Sequence, residues 1–597
     1  MNTNQIVALC VGLSILCVIL GVIATKGKLH THNDTLFLKK WIYISLLFII
    51  NISGCVVVYY VNNTKILFYI IFAMKLKDIL GSVMFACNML FKSGKKLTKS
   101  IIKAIYKKEN NENTNEIVNI KTIKKPNFIK IFFTSHEQDT MSDDVDNIEK
   151  IIAFIPVYNE KYEQVIKTID SVMSNDLKDN YMFTCVVSEG VVDYIGIFDD
   201  IFQTSEYIYK SWMNESVSVK VHYGIRNNKG IMLIAKDKRR GKKDSIILCN
   251  DIFNHPRENM KNSTNILRNY IREELNDIYN LNEFHYLFCT DADSTISENT
   301  LSCLIESIKK RDAVAACGVV NADLSGNIFW TNLQNYQYLY GQYMRRTNED
   351  LMNQVTCLPG CISMFKIDEH AKNALENYST LPDEMNLVQS NSHFIGTDRK
   401  YTSCLIQSNK NAKIVMDTRC HVYTNPPYSW IAYINQRRRW CSNMYFNSMQ
   451  NIVLPNMNII SRIFTFLDFI RLSLVYFRLY NTIYFIYLLI ETYKNKEYSY
   501  TTMIRFVPLI VLVLFPTFCF LIYSLFNAHL RKQYLKLILL FLVNKIFTLI
   551  ATLTVFTVML ININSFQWDL NKSKSKSKRY GKLFLKPVQD DNGFIMA

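Results

Sequence analysis

Apolar residues crowd into the two ends of this 597-residue chain and leave a long polar body between them. Residues 6–25, IVALCVGLSILCVILGVIAT, carry no charge over a length that spans a bilayer as a helix. No basic residue precedes that run and no A-x-A site follows, so an anchor fits better than a cleaved leader. Residues 41–61 read as a second span. A third run, 66–74, is broken by Lys75, Lys77 and Asp78 and is expected to cross poorly or to lie in the interface. Apolar character returns after residue 460. The stretch 463–490 carries Asp468, Arg471 and Arg478, and reads as an interfacial helix followed by a span over 472–490. Residues 506–526 and 537–562 read as further spans, the last with Lys545 inside, where a charge usually faces a bundle interior or a polar path. The basic loops 26–40 and 527–536 favour the cytosolic side. Three C-terminal crossings would then leave the tail outside, yet its KSKSKSKRYGK favours the inside, so one segment is miscounted.

A hydrophobic content of 49% with 20% charge excludes a disordered or fibrous chain. The net charge of +17 suits an anionic partner: nucleic acid, phospholipid headgroups or a phosphate-bearing substrate. Nucleic acid is set aside because the lysines Lys95, Lys96, Lys99, Lys103, Lys107 and Lys108 lie beside membrane segments and no nucleic-acid module occurs. The 15 cysteines show no CxxC pair and no zinc spacing, as expected of reduced thiols facing the cytosol. The organisation read from these shifts is membrane segments at 1–91, a basic amphipathic linker at 92–145, the polar body at 146–450, an interfacial helix and spans at 451–562, and a basic tail at 563–597.

Within the body, IIAFIPVY, FTCVVS, FHYLFCT and VAACGVV are short apolar bursts, and helix-period segments such as 161–175 and 299–310 separate them. That alternation predicts an α/β sheet of buried parallel strands with helices on both faces. Ligands bind such sheets at the carboxyl ends of strands. The first strand ends in Pro156, Val157, Tyr158, Asn159 and Glu160, the second in Ser188, Glu189 and Gly190, and a later one in Thr290, Asp291, Ala292, Asp293 and Ser294. Two carboxylates one residue apart at a strand end can share a hard divalent cation, Mg²⁺ or Mn²⁺, with substrate phosphates. The run Lys238 to Ser245, KRRGKKDS, can clasp a diphosphate or be a solvated surface. No Walker loop or GxGxxG occurs. Further on come Leu358-Pro359-Gly360-Cys361, Gly396-Thr397-Asp398-Arg399 and Gln436-Arg437-Arg438-Arg439-Trp440. Asp398 can act as general base, with Arg399 keeping it ionised; Arg439 offers a fork for phosphate; Trp440 offers a flat face for a sugar ring.

D-x-D, then T-D-R, then Q-x-x-R-W ahead of membrane helices resembles the processive family 2 glycosyltransferases, and chitin synthases of fungal type in particular. GKKDS is similar to that family's GKRDS, ACG at 316–318 with YQYLYGQY at 336–343 to its acceptor-helix region, LPGCISMFKI to its SPGCF segment, and QRRRW to its signature string. The resemblance covers about 150–445, roughly half the chain. It implies a GT-A (Rossmann-like) α/β glycosyltransferase domain in the cytosol, flanked by transmembrane helices in a multi-pass protein of the plasma membrane. It implies the donor UDP-N-acetylglucosamine with Mg²⁺ or Mn²⁺, and inverting transfer to the non-reducing end of a nascent β-1,4 chitin chain that leaves through the membrane helices. The implied partners are that donor, that chain, the lipid bilayer and, as a further association, a homodimer.

Carried over by position, Pro156, Tyr158, Glu160 and Glu189 would hold the uridine and Lys243 would lie near the nucleotide. Asp291 would serve nucleotide and metal, with Asp293 the first metal ligand. Asp398, beside Arg399, would take the proton of the acceptor 4-hydroxyl. Pro359, Gly360 and Cys361 would border the substrate, and Gln436, Arg439 and Trp440 would line the acceptor and pyrophosphate end. Three positions depart from the family pattern: Glu189 where Asp is usual, Thr397 where Glu precedes the base, and Gln337 where an acid is common. Two other readings stay open: a related synthase using another UDP-sugar, and a catalytically silent membrane subunit.

Overall fold

The structure is a computed structural model, and it describes residues 33–61, 64–109, 148–178, 180–190, 192–326, 328–380, 387–453, 456–494 and 500–563. The apolar run at 6–25, the 110–147 part of the linker region and the tail from 564 lie outside the described residues.

Among the described residues two helices come first, α1 (Asn33–Val61) and α2 (Thr64–Glu109). The body opens with β1 (Lys150–Tyr158), α3 (Tyr162–Met173) and β2 (Tyr181–Glu189). Three strands follow, β3 (Asp200–Lys210), β4 (Ser216–Arg226) and β5 (Lys229–Lys236). Next are α4 (Lys242–Phe253), α5 (Asn262–Tyr279), β6 (Tyr286–Cys289), β7 (Ser294–Ile296), α6 (Thr300–Arg311) and β8 (Ala315–Ala322). α7 (Ile328–Tyr340) runs into a π-helical turn, Gly341–Arg346. The body closes with β9 (Ser363–Lys366), α8 (Glu369–Tyr378), α9 (Leu387–Ile395), α10 (Thr397–Ser408), β10 (Ile414–Thr424) and α11 (Trp430–Val453). Four long helices end the described chain: α12 (Ile459–Ser473), α13 (Val475–Lys494), α14 (Tyr500–Phe526) and α15 (Tyr534–Ile561).

The ten strands among the described residues form one sheet, in the order β3-β4-β5-β2-β1-β6-β9-β8-β10-β7. Its centre is parallel, β5-β2-β1-β6, as the apolar bursts predict. The sheet as a whole is mixed. β3 and β4 are antiparallel additions at one edge, and β9 enters antiparallel between β6 and β8. The expectation of a parallel sheet is corrected on this point. β3 was missed because it is a solvated edge whose outward residues are polar or exposed, so it shows no apolar burst. β1, by contrast, is buried on both faces from Ile151 to Ile155. One apolar layer packs β1 and β2 against α3 and α6 through Ile151, Val165, Ile169 and Leu304. The other packs them against α4 and α5 through Ile152, Phe183, Ile252 and Leu267. Each such side chain contributes about 1.5–3 kcal/mol when fully buried.

The helices outside the body dock beneath it. α2 continues as helix straight through Lys75, Lys77 and Asp78, because these charges meet Asp468 and Arg471 of α12. α1 (over Lys40–Tyr60) and α15 are long and apolar enough to cross a membrane, by length and composition. α15 begins just after Gln533, whose Oε1 accepts from Asn335 Nδ2 at 3.4 Å. Midway, Gln337 Nε2 donates to Asn544 Oδ1 at 3.0 Å. At the far end, Asn391 Nδ2 donates to the Ile563 carbonyl at 2.7 Å. A 28-residue helix is about 42 Å long, and this one touches the sheet-bearing body at its start, middle and end.

Candidate active site

The carboxyl ends of β1, β2 and β6 lie side by side, because β1 pairs with both neighbours in parallel. β6 ends at Cys289, and the chain then turns sharply. The Thr290 hydroxyl donates to the Cys361 carbonyl at 3.0 Å, and the Ala292 carbonyl accepts from Thr168 of α3 at 2.9 Å. These anchors hold Asp291 and Asp293 on one short loop. Burial, then the charge of Asp291, lifts the Asp293 carboxyl to about 6. Burial, partly opposed by the Tyr158 N–H and reinforced by Asp293 and Asp291, also raises Glu160. Glu160, Asp291 and Asp293 thus feel one another's charge at this corner of the sheet.

The cation in that corner is Lys242. Its Nζ is 2.5 Å from Asp291 Oδ1 and 3.6 Å from Asp398 Oδ1. Burial opposes the lysine's charge, but Asp291 and Asp398 outweigh it and hold its pKa well above the ordinary value. The lysine is aimed by the turn before it. Gly241 has φ +88°, a left-handed conformation that favours glycine. The amides of Arg240 and Gly241 donate to Glu189 Oε2 at 3.1 and 2.8 Å. The other oxygen, Glu189 Oε1, accepts from Lys236 Nζ and Ser245 Oγ, each at 2.9 Å. Glu189, expected at the uridine, thus spends its carboxylate on bracing the start of α4.

Lys243, the lysine expected near the nucleotide, points the opposite way. Its Nζ lies 3.8 Å from the Trp212 ring, 4.6 Å from the Tyr378 ring and 3.1 Å from His393 Nδ1, and burial holds its pKa well below the ordinary value. Successive helical residues diverge by about 100°, so only one of the two lysines can face the carboxylates. Lys243→Met is expected to leave the Lys242–Asp291 pair in place. Since the folded-state pKa is depressed, charging Lys243 costs stability increasingly as pH falls below the unfolded value, so this variant flattens the alkaline side of the thermal stability profile. An unaltered profile from pH 8 to 10.5 would refute the assignment.

Asp398 occupies the first turn of α10, about a third exposed, and accepts from the Thr397 hydroxyl at 3.1 Å. Arg399, expected to keep it ionised, donates instead to Thr356 Oγ1 at 3.2 Å, and the cation beside Asp398 is Lys242. Gly360 covers the corner. A Cβ there would stand 2.5 Å from Lys242 Nζ and 2.8 Å from Asp398 Oδ1. Gly360→Ala is expected to push both groups aside while costing little stability, because the clashing atoms are side-chain ends. A displacement of that kind lowers turnover about 100-fold; equal turnover by the two proteins would sink the idea. Cys361 is buried, and burial pushes its thiol pKa well up, which leaves it inert. Pro359 and Cys357 are half-buried beside it, and the cysteines are free.

Pro156 joins Lys242, Gly360 and Asp398 around a cleft of only about 20 Å³. A larger cavity, about 260 Å³, lies elsewhere along α4 between Trp212, Arg257, Lys261 and Glu376, and it includes none of the three aspartates. Tyr158 is capped by Arg239, whose guanidinium stands 3.8 Å over the ring and donates to the hydroxyl at 2.9 Å. On α11, Arg437 is the centre of an aromatic stack, 4.2 Å from Trp440, 5.0 Å from Tyr433 and 5.2 Å from Tyr338. Its Nη2 donates to Gln337 Oε1 at 3.2 Å. Trp440 keeps 45% of its surface exposed, Arg439 is half-buried, and Gln436 Oε1 is buried with no hydrogen-bond partner. Lys242 and Arg437 are the residues that reading the sequence overlooked. Both sit inside motifs already singled out, where neighbouring cations of one type cannot be ranked without a helix phase.

Among the described residues no three His, Cys, Asp or Glu side chains converge as a complete metal site. Asp291 and Asp293 fit a divalent cation as a partial oxygen shell, since phosphate oxygens commonly complete one. Lys242 offsets one negative charge in the corner, while burial and then the charge of Asp291 raise Asp293.

A family model described as chitin synthase matches residues 217–514. Chitin synthase 5 of Verticillium dahliae is 25% identical over 352 residues, 51% of this chain and 19% of that protein. Chitin synthase 8 of Gibberella zeae is 25% identical over 342 residues, 53% of this chain and 51% of that one. The chain belongs to the chitin synthase family. It spans about half the length, or less, of these curated relatives. The family match takes in Lys242, Asp291, Asp293, Asp398 and the QRRRW string, and stops short of β1 and β2 with Pro156, Tyr158, Glu160 and Glu189. Among solved structures, a mannosyltransferase of Pyrobaculum calidifontis overlaps 67% of this chain and 88% of its own at 12% identity and TM-score 0.35. Residues 1–349 of S. aureus TarS overlap 55% and 71% at 12% identity and TM-score 0.28. Neither overlap reaches the level at which two chains share a fold throughout.

Proposed function

We propose that this chain is a chitin synthase with a GT-A catalytic domain, transferring N-acetylglucosamine from UDP-N-acetylglucosamine to the non-reducing end of a β-1,4 chain with inversion. The observation that carries this reading is the convergence of Lys242, Asp291, Asp293 and Asp398 under Gly360, in a chain of this family. Asp398 takes the proton of the acceptor hydroxyl as it attacks the anomeric carbon from the face opposite the leaving diphosphate. Lys242 stands beside Asp398 and faces the charge that develops as UDP departs. Trp440 and the Arg437 stack offer the acceptor sugar a flat, partly exposed platform. A divalent cation, Mg²⁺ or Mn²⁺, held by Asp293 and Asp291, would stabilise the diphosphate charge. Tyr158 and Pro156 would lie at the uridine end.

The test uses the full chain in nanodiscs with UDP-N-acetylglucosamine, following UDP release and chitinase-sensitive polymer, with and without a chelator. Polymer that disappears with the chelator supports the reading. Turnover of another UDP-sugar alone would move it to a sister synthase, and silence with every donor would favour a catalytically silent subunit.

The catalytic body would face the cytosol of a multi-pass protein, in the plasma membrane by inference from the product. The contacts of α15 along that body support an in-plane helix under it, with α13 and α14 as the C-terminal crossings. Two crossings return the basic tail to the catalytic side, which removes the conflict with its charge. A C-terminal tag is expected to be cleaved by protease in inside-out vesicles and protected in right-side-out ones; the reverse pattern would refute this topology.

A further inference from the structure

The larger cavity along α4 takes no part in the reaction above. Four segments enclose it: the β3–β4 turn at Trp212, the face of α4 that carries Asp244 and Asp251, the approach to α5 with Arg257 and Lys261, and the end of α8 at Glu376. Asp244, Leu248 and Asp251 recur at helical spacing, so the cavity follows one side of α4. Its volume of about 260 Å³ is below the roughly 300 Å³ at which pockets for drug-sized ligands begin. It therefore suits a small metabolite and leaves no room for a nucleotide sugar.

The two aspartates of the wall are already engaged. Asp244 Oδ2 accepts from the Tyr209 hydroxyl at 2.5 Å and from Lys236 Nζ at 2.8 Å, and its Oδ1 accepts from the Trp212 amide at 2.6 Å. Asp251 takes the Arg257 fork, Nε at 2.7 Å and Nη2 at 2.9 Å. The lysines are not so engaged. Among the described residues neither Lys210 nor Lys261 forms an ion pair, and both line the cavity. Lys261 Nζ donates to the Ser211 carbonyl at 2.6 Å, which leaves two of its three N–H groups. The counterweight is Glu376, whose Oε1 accepts from the Glu258 amide at 3.2 Å. Two lysines thus face one glutamate, and the cavity carries surplus positive charge. Burial, then the charge of Arg257, holds Lys261 below its ordinary value, and an anion beside the ammonium would offset both. On other walls, the hydroxyls of Thr264 and Ser379 are held by bonds of 3.5 and 3.2 Å and can turn toward an oxygen in the cavity. Donors from several directions match the three acceptor oxygens of a phosphate group better than the two of a carboxylate. Ile247, Leu248 and the Trp212 ring, which Trp212 Nε1 fixes on the Ser379 carbonyl at 2.9 Å, leave an apolar side for a short carbon body.

We propose that this cavity binds the phosphate monoester of a small organic molecule, with Lys261 and Lys210 at the phosphate and the organic body against Trp212 and α4. None of Asp291, Asp293 and Asp398 lines it, and the proposal does not depend on the synthase reading.

The test uses the full chain in detergent, in equilibrium dialysis against radiolabelled glycerol 3-phosphate. It is repeated with labelled inorganic phosphate and labelled acetate at equal ionic strength, and with excess UDP to occupy the donor site. Glycerol 3-phosphate is expected to bind once per chain, more tightly than inorganic phosphate, and to stay bound in excess UDP. Lys261→Gln should weaken binding about tenfold, the effect of losing a hydrogen bond to a charged group. Lys210→Gln should weaken it by a smaller factor, and at its exposed position folding is expected to survive even if Lys261→Gln does not express. Lys167→Gln, on α3 and outside the cavity, should leave binding unchanged. Equal binding of inorganic phosphate, weakened in the same two variants, would support the site and narrow its ligand to free phosphate. Release by UDP, equal binding of acetate, binding that both cavity variants leave unchanged, or no binding of any probe would overturn it.

Discussion

Asp398→Asn is expected to lower polymer synthesis about 100- to 10,000-fold, the usual contribution of a positioned general base. Asparagine keeps the size of the side chain and its acceptor from Thr397, but cannot take a proton from a sugar hydroxyl. The group is about a third exposed and sits at a helix start, so stability should change by no more than about 0.5 kcal/mol. Donor binding should survive, because Asp291, Asp293 and Lys242 remain. The informative measurement pairs polymer yield with a donor-binding isotherm for both proteins. Loss of polymer with unchanged donor affinity places Asp398 in the chemical step. Wild-type yield from the variant would remove it from the mechanism and favour the silent-subunit reading.

Glu189→Ala should instead act through the fold. Its carboxylate is 4% exposed and Lys236 is fully buried, so deleting it strands a buried cation and two backbone amides. Breaking one side of a buried pair costs about 3–5 kcal/mol. Lys236 keeps Asp244 at 2.8 Å, which favours the lower end. At about 2–4 °C per kcal/mol, the midpoint should fall by roughly 6–12 °C. The turn that aims Lys242 loosens with it, so UDP release should fall as well. Glu189→Asp, the residue usual in the family, reaches less far and should recover part of both losses. A midpoint within a degree of wild type would show that the network contributes little; a loss confined to donor affinity would return Glu189 to the uridine site.

Much of the site was legible because its chemistry sits at strand ends. FHYLFC followed by a D-x-D needs no tertiary information to be placed at the carboxyl end of a buried strand, and β6 lies there. The apolar bursts that become β1, β2 and β8 were readable for the same reason, since a strand buried on both faces has no polar alternation to hide it. β3 escaped because half its surface is solvated. Lys242 and Lys243 are adjacent and chemically equal, and the choice between them depends on the rotation of α4, which Glu189 and Gly241 set from another strand and a single backbone angle. Arg399 was paired with Asp398 on adjacency alone, yet in a helix neighbouring side chains diverge, and Arg399 turns to Thr356.

Composition and order in the chain determined that two apolar regions flank a polar α/β body, that its acids stand at strand ends, and that the motifs follow the sequence of one enzyme family. These depend on local pattern, which a linear sequence carries in full. Only the tertiary structure decided which cation neutralises which acid, that Glu189 braces the turn before α4, and that α15 meets the body at its start, middle and end. Each of those outcomes depends on distances between residues far apart in the chain, and electrostatic energy changes steeply over the few ångströms that folding alone sets.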